Sequence, residues 1–283
     1  MIKCFYHSAD LDGICSAAIV KYKYPDVELF PINYGDKFPW ADIKLSDIVF
    51  MVDFGLQPIE DMVKLKESCY LTWIDHHITA IKEAERVGLE LPGLRIDGTA
   101  GCELTWQYLF PNLDLPWPVY YLGRYDVWDH SNKWVLPFQY GMRLKNLSPD
   151  SDKWEILFDE SHKNHTEFQC NIIDDGRLII NWETVENERT VSYLSFETVF
   201  EGLRAIVCNA RGGSTLFQSK YNEEKHDIMI SFVYTGKSWN YSFYSTQDNV
   251  HCGELAKKLA KKYNSTGGGH KGAAGMNIKE FIF

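Results

Sequence analysis

Short apolar runs alternate with stretches of helical periodicity through the first half of the chain. Ile2–Tyr6, Val27–Ile32, Asp47–Val52, Tyr70–Ile74 and Leu94–Ile96 have strand length and are dense in apolar and aromatic residues, as buried strands require. Between them, Gly13–Tyr22, Pro58–Glu67 and Thr99–Phe110 repeat apolar residues three and four apart, and Trp117–Tyr125 continues this behind Pro116 and Pro118. Such alternation predicts an α/β domain with a largely parallel sheet. Polar residues take over from about Asn146, where Phe168, Ile172, Ile179, Trp182 and Val185 mark helical connectors. From Phe196 a second pattern begins. Leu203–Cys208 predicts a strand, and Asp227–Tyr234 with Ser238–Phe243 a hairpin across Thr235-Gly236-Lys237. Ala256–Tyr263 is an amphipathic helix, followed by the glycine-rich Gly267–Gly275 and a last strand near Met276–Phe283. The expected organisation is an α/β domain over residues 1–145, a helical linker over 146–195 and a smaller α/β domain with a mixed sheet over 196–283.

Composition narrows the class. Of 283 residues, 45% are hydrophobic and 24% charged, the balance of a soluble globular protein with a full core. Its longest apolar stretches, Ser46–Phe54 and Leu203–Cys208, are too short to span a bilayer. The opening Met1–His7 lacks the charged, apolar and cleavage regions of a signal peptide. Seven cysteines, odd in number, widely spaced and without a C-x-x-C pair, fit reduced thiols and a cytoplasmic location. The net charge of −10 leaves no basic stripe for long nucleic acid. The one dense basic run, Lys257-Lys258 with Lys261-Lys262, has the spacing of a solvated helix face. A polyanionic substrate should therefore be small and held by metals; no membrane partner is expected, and a homodimer is allowed for.

Four clusters of acids and imidazoles stand out. His7-Ser-Ala-Asp10-Leu-Asp12-Gly13 follows the first strand, Asp53-Phe54-Gly55 ends the third and Asp75-His76-His77 the fourth; Asp126 lies within Gly123–His130. Singly they have plain explanations: Asp10 and Asp12 as turn and N-cap residues, Asp53 as a strand-ending turn, His76-His77 as a hydrogen-bonded pair. Together they converge on the sheet edge where open α/β sheets bind ligands. Carboxylates crowded there repel one another unless a cation neutralises them, and a mixed imidazole and carboxylate donor set suits Mn²⁺ or a related divalent ion.

In this order and these contexts, His7, Asp10-x-Asp12-Gly13, Asp53, Asp75-His76-His77 and Asp126 resemble the four motifs of the DHH phosphoesterase superfamily. Gly267-Gly268-Gly269-His270-Lys271-Gly272-Ala273-Ala274-Gly275 is similar to the GGGH signature of the DHH-associated C-terminal domain. The resemblance implies an N-terminal DHH metal-binding domain and a C-terminal substrate-binding domain. It implies two Mn²⁺ ions, with Mg²⁺ or Co²⁺ as relatives: His7, Asp10 and Asp53 on one, Asp12, Asp53, His76 and Asp126 on the other, with Asp53 bridging. His77 would face the substrate, and Asp75 would steer His76. Asp129 competes with Asp126, which is preferred because it directly follows the apolar helix. Gly268, Gly269, His270 and Lys271 would bind substrate, and Arg124 is a candidate phosphate clamp that could equally pair with a neighbouring acid. Two departures from the family pattern are visible. Tyr244 stands where many members carry an arginine, in Ser242-Phe243-Tyr244-Ser245, and the step from His7 to Asp10 differs from several branches.

A compact acidic chain with these motifs most resembles the nanoRNase-like, oligoribonuclease branch. The implied activity is metal-dependent hydrolysis of phosphodiester or phosphomonoester bonds in short oligonucleotides or small nucleotides, among them pAp and cyclic dinucleotides. Nucleoside 5′-monophosphates would be released. Polyphosphate or pyrophosphate hydrolysis is the alternative, as is a non-catalytic nucleotide-binding sensor.

Overall fold

The computed structural model describes residues 1–283, which divide into two units, Met1–Ile180 and Asn181–Phe283. That division falls inside the segment expected as a helical linker. In the first unit, β1 (Ile2–His7) leads through α1 (Leu11–Lys23) to β2 (Glu28–Ile32). Then come β3 (Ile48–Val52), α2 (Glu60–Ser68), β4 (Tyr70–Ile74), α3 (Ile78–Arg86), α4 (Gly101–Leu109), α5 (Trp117–Asp126), α6 (Val135–Lys145) and α7 (Lys153–Phe158). The long α8 (His165–Leu194) crosses the division. The four strands form one parallel sheet in the order β2-β1-β3-β4.

Period-two alternation covers both faces of this sheet. Cys4, Tyr6, Phe50, Val52 and Ile74 pack beneath α1, α4 and α5, while Phe5, Val49, Met51, Leu71 and Trp73 pack against α2 and α3. That is why these strands show near-continuous apolar runs. Leu94–Ile96 is not a strand: it contributes only a bridge between Arg95 and Asp75. Pro92 lacks a donor and Gly93 has φ 113°, so the segment follows the free edge of β4 without forming a full ladder. Two helices escaped the pattern. α3 buries only Ala80 and Ala84, too small to mark an apolar stripe, and α6 carries Pro137 in its first turn.

The second unit holds β5 (Ser195–Phe200), β6 (Leu203–Cys208), β7 (Ile228–Tyr234), β8 (Trp239–Tyr244), α9 (Cys252–Lys262), β9 (Thr266–Gly269) and β10 (Ala273–Ile278). They form a mixed sheet in the order β5-β6-β7-β8-β10-β9, parallel only between β6 and β7. Tyr241, Phe243, Met276 and Ile278 pack with Ala256 and Leu259 of α9. The glycine run is partly strand. At Gly267 a β-carbon would lie 2.7 Å from the Met276 β-carbon and 3.0 Å from that of Ala260, so glycine lets β9 press onto α9. No helix is long and apolar enough to cross a membrane.

Candidate metal centre

The parallel register brings the ends of β1, β3 and β4 together. His7 closes β1, Asp53 follows β3 with φ 51°, and Asp75-His76-His77 follows β4. Gly13 lets α1 begin hard against β1, since a β-carbon there would lie 1.9 Å from the His7 carbonyl oxygen. Asp10 caps α1 by accepting from the Gly13 N–H at 3.0 Å. Its other oxygen lies 3.1 Å from His7 Nδ1, and that nitrogen is 3.7 Å from Asp53 Oδ2. His76 Nε2 lies 3.2 Å from Asp53 Oδ1, 3.3 Å from Asp126 Oδ2 and 3.6 Å from Asp12 Oδ2. Ligand atoms of His7/Asp10/Asp53, of Asp12/His76/Asp126 and of Asp53/His76/His77 fall within 4.8 Å of one another in each group. All six residues expected as metal ligands thus converge, and Asp53 belongs to two of the three groups.

These contacts have ion-pair distances but not hydrogen-bond geometry: His7 Nδ1, 3.1 Å from Asp10, and Asp53 Oδ1, 3.2 Å from His76, are buried and make no hydrogen bond, a condition that buried polar groups rarely tolerate. Burial and the charges of Asp53 and Asp126 push the Asp12 carboxyl well above its ordinary range. Burial and Asp53 push Asp126 to about 6. The carboxylates of Asp10 and Asp53 raise His7 to about 10. A donor set of carboxylate oxygens and imidazole nitrogens, strained by mutual repulsion and holding orphaned atoms, fits a divalent cation. Asp12 has a further attachment: its two oxygens accept the Gly101 and Cys102 N–H groups, each at 2.7 Å, at the start of α4.

The geometry corrects one of these expectations, the role of Asp75, and bears on three more. Asp75 steers His77 and not the His76 ring: its Oδ1 meets His77 Nδ1 at 2.7 Å and accepts the backbone N–H groups of both histidines. Arg124 is committed to the buried Glu103 through Nε at 2.9 Å and Nη2 at 2.7 Å, which removes it as a free phosphate clamp. Asp126, not Asp129, approaches His76; Asp129 instead accepts the Ser131 N–H and lies 3.8 Å from Arg124. Gly267–Gly269 are not a loop: they form the edge strand β9, paired on one side with β10. Gly268 and Gly269 are strand residues, His270 is exposed in the following turn, and Lys271 pairs with Asp248 at 2.9 Å. Sequence reasoning missed Tyr34. Its ring centre is 5.7 Å from that of His7, 6.1 Å from His77 and 4.7 Å from Phe54. The strand-end rule applied to β2 would have found it.

Comparison with known proteins agrees with the fold. Residues 212–281 match the DHHA1 domain family. The uncharacterised protein R106 of Acanthamoeba polyphaga mimivirus is 22% identical, with 96% of this chain and 66% of the relative covered; the chain spans about two thirds of that relative's length. Among solved structures, the DHH domain of a member of the S1p family of ribosomal proteins superposes with a TM-score of 0.57 at 12% identity, covering 98% of this chain and 82% of that one. The pGpG-specific phosphodiesterase PggH from Vibrio cholerae superposes with a TM-score of 0.52 at 14% identity, covering 98% and 92%.

Proposed function

We propose that this chain, a protein of DHH fold carrying a DHHA1 domain in its second unit, is a metal-dependent phosphoesterase. In this reading it cleaves phosphodiester or phosphomonoester bonds of short oligonucleotides or small nucleotides and releases nucleoside 5′-monophosphates. The observation that carries the reading is the convergence of His7, Asp10, Asp12, Asp53, His76 and Asp126 with orphaned donor atoms at one sheet edge. His7, Asp10 and Asp53 would hold one divalent ion and Asp12, Asp53, His76 and Asp126 a second, with Mn²⁺ as the best match to the donor set. Two such ions, when bound, supply charge cancellation for an anionic phosphate and make a water more acidic.

The chain's own residues account for the rest. Asp75 fixes His77 through Nδ1, leaving Nε2 to meet a phosphoryl oxygen and stabilise charge that develops on it. The buried Asp53 sets the spacing between the two ligand groups. Tyr34, beside His7 and His77, keeps its proton because burial and the carboxylates of Asp75, Asp53 and Asp10 raise its pKa; its hydroxyl can donate but carries no charge. Seven widely spaced cysteines without a C-x-x-C pair are the support for a reducing, cytoplasmic setting. The pGpG-specific neighbour makes a linear dinucleotide the first substrate to try. A Mn²⁺-supplemented panel of dinucleotide, cyclic dinucleotide, pAp, longer RNA and pyrophosphate tests the proposal. Cleavage of the dinucleotide that chelation abolishes and Mn²⁺ restores is expected. Preference for pyrophosphate would shift the assignment to inorganic phosphates, and turnover by thoroughly chelated protein would refute the metal requirement.

A further inference from the structure

Two residues beyond Asp126 the chain does something costly. α5 stops in a Schellman motif: the Asp129 N–H reaches back to the Arg124 carbonyl at 2.8 Å and the Trp128 N–H to the Tyr125 carbonyl at 3.1 Å. The residue at the turn of this motif must take positive φ, which is why glycine usually occupies it. Here it is Trp128, at φ 62°. A β-carbon in this region is penalised, and Trp128 is also 75% exposed, so its indole recovers little by burial. Neither the helix stop nor the core gains from tryptophan at this position.

The ring instead lies at the outer edge of an aromatic cluster. The Arg143 guanidinium lies 5.3 Å from the Tyr125 ring centre and bonds its hydroxyl at 3.1 Å. Tyr125 stacks on His130 at 5.4 Å with planes 25° apart, and Trp128 leans on both, 4.8 Å from His130 with planes 49° apart and 6.4 Å from Tyr125. Inner members are braced and the outermost indole is open. Since two residues of chain span about 7 Å at most, the backbone of this open ring is held close to Asp126, at the rim of the candidate metal centre. We infer that Trp128 is a stacking platform for the nucleobase attached to the phosphate held at that centre, and so a determinant of specificity for nucleotides over simple phosphates. The inference rests on the phosphoesterase reading for the phosphate's position, but its test does not require turnover.

The test measures binding of adenosine 5′-monophosphate and ribose 5-phosphate to the Mn²⁺-loaded full chain, with dinucleotide hydrolysis followed on the same preparations. Wild type should prefer the nucleotide by about tenfold, the range expected of one base on one aromatic ring. Trp128→Phe should keep most of that preference, whereas Trp128→Leu and Trp128→Gly should lose it. Trp128→Gly relieves the backbone strain, so it should melt no lower than wild type, a result that a packing role could not give. Equal affinity of wild type for the two ligands overturns the inference, as does full preference retained in Trp128→Gly. Nucleotide preference without hydrolysis would sink the phosphoesterase reading and leave the platform; hydrolysis without the preference would do the reverse.

Discussion

Asp53→Asn is the sharpest perturbation of the proposed centre. Asparagine keeps the volume of the side chain and tolerates the positive φ of 51° found there, so the fold should persist. What disappears is one charge shared by two ligand groups. Residues that merely orient a metal ligand alter affinity about 10- to 100-fold, so a carboxylate in both groups should alter it by at least about a hundredfold. With Mn²⁺ at a hundred times the wild-type dissociation constant, ligand binding stabilises the protein by about 2.7 kcal/mol. At the same concentration, a hundredfold weaker site leaves about 0.4 kcal/mol. For a domain of this size that means, for each ion bound, a metal-induced rise in Tm of about 5–10 °C falling to about 1 °C. Melting curves with and without Mn²⁺, beside a metal count after equilibrium dialysis, measure both quantities. Asp129→Asn makes the same change of charge outside the ligand groups and is the control. Asp53→Asn protein that binds two ions with unaltered affinity would refute the reasoning and leave Asp53 as a turn residue.

Mn²⁺ affinity should rise with pH. In the metal-free protein His7 stays protonated up to about 10 and Asp126 up to about 6, so binding must displace these protons. Each displaced proton should strengthen binding by about tenfold per pH unit while the group is protonated; calorimetry in buffers of different ionisation heat should show the release, and a pH-independent affinity would count against His7 as a ligand. The sign for stability is opposite. The raised His7 pKa stabilises the metal-free fold below about 6.5 and that contribution fades as pH climbs through about 10, so metal-free protein should lose stability on the alkaline side, which pH-dependent melts would detect. Arg124→Ala should lower the stability of the first unit by about 3 kcal/mol by stranding the buried Glu103; unchanged stability with weaker substrate binding would return Arg124 to the role of phosphate clamp. Gly267→Ala should cost about 1–3 kcal/mol through its clash with Met276 and Ala260. Gly268→Ala should stay within about 0.5 kcal/mol, since only the flexible Lys257 comes near, at 3.4 Å; equal losses would show that β9 tolerates no side chain at either place.

The site was legible in the sequence because a parallel sheet turns strand order into proximity. His7, Asp53 and His76 are far apart along the chain, yet each closes a strand, and neighbouring strands in register place their ends together. Side-chain direction was not legible. Whether Asp75 meets His76 or His77 depends on how the chain turns after β4, and no spacing rule gives that. Arg124 and Glu103 are 21 residues apart on different helices, and only their packing reveals the pair. The glycine run shows the limit of composition: a phosphate-binding loop and a strand pressed against a helix both demand glycine, and only the close approach at Gly267 reveals the strand. In the same way, α3 was hidden because its buried face is two alanines.

The attachment of Asp12 to α4 has a consequence for how the centre tolerates being empty. The first peptides of α4 present N–H groups with no partner inside the helix and roughly half a positive charge, and those of Gly101 and Cys102 are bonded to the buried Asp12 carboxylate, which lies among three others. Gly101, the first residue of that helix, leaves so little room that a β-carbon there would sit 2.7 Å from the Asp53 β-carbon. The helix end is therefore wedged between Asp12 and Asp53, serving as a fixed counter-charge that is always present. Small metal-built domains unfold when stripped because nothing else offsets their ligands. Here the scaffold carries part of that offset itself, so the ligand cage should remain assembled when it is empty, with cation supply governing the proposed activity and not survival of the fold.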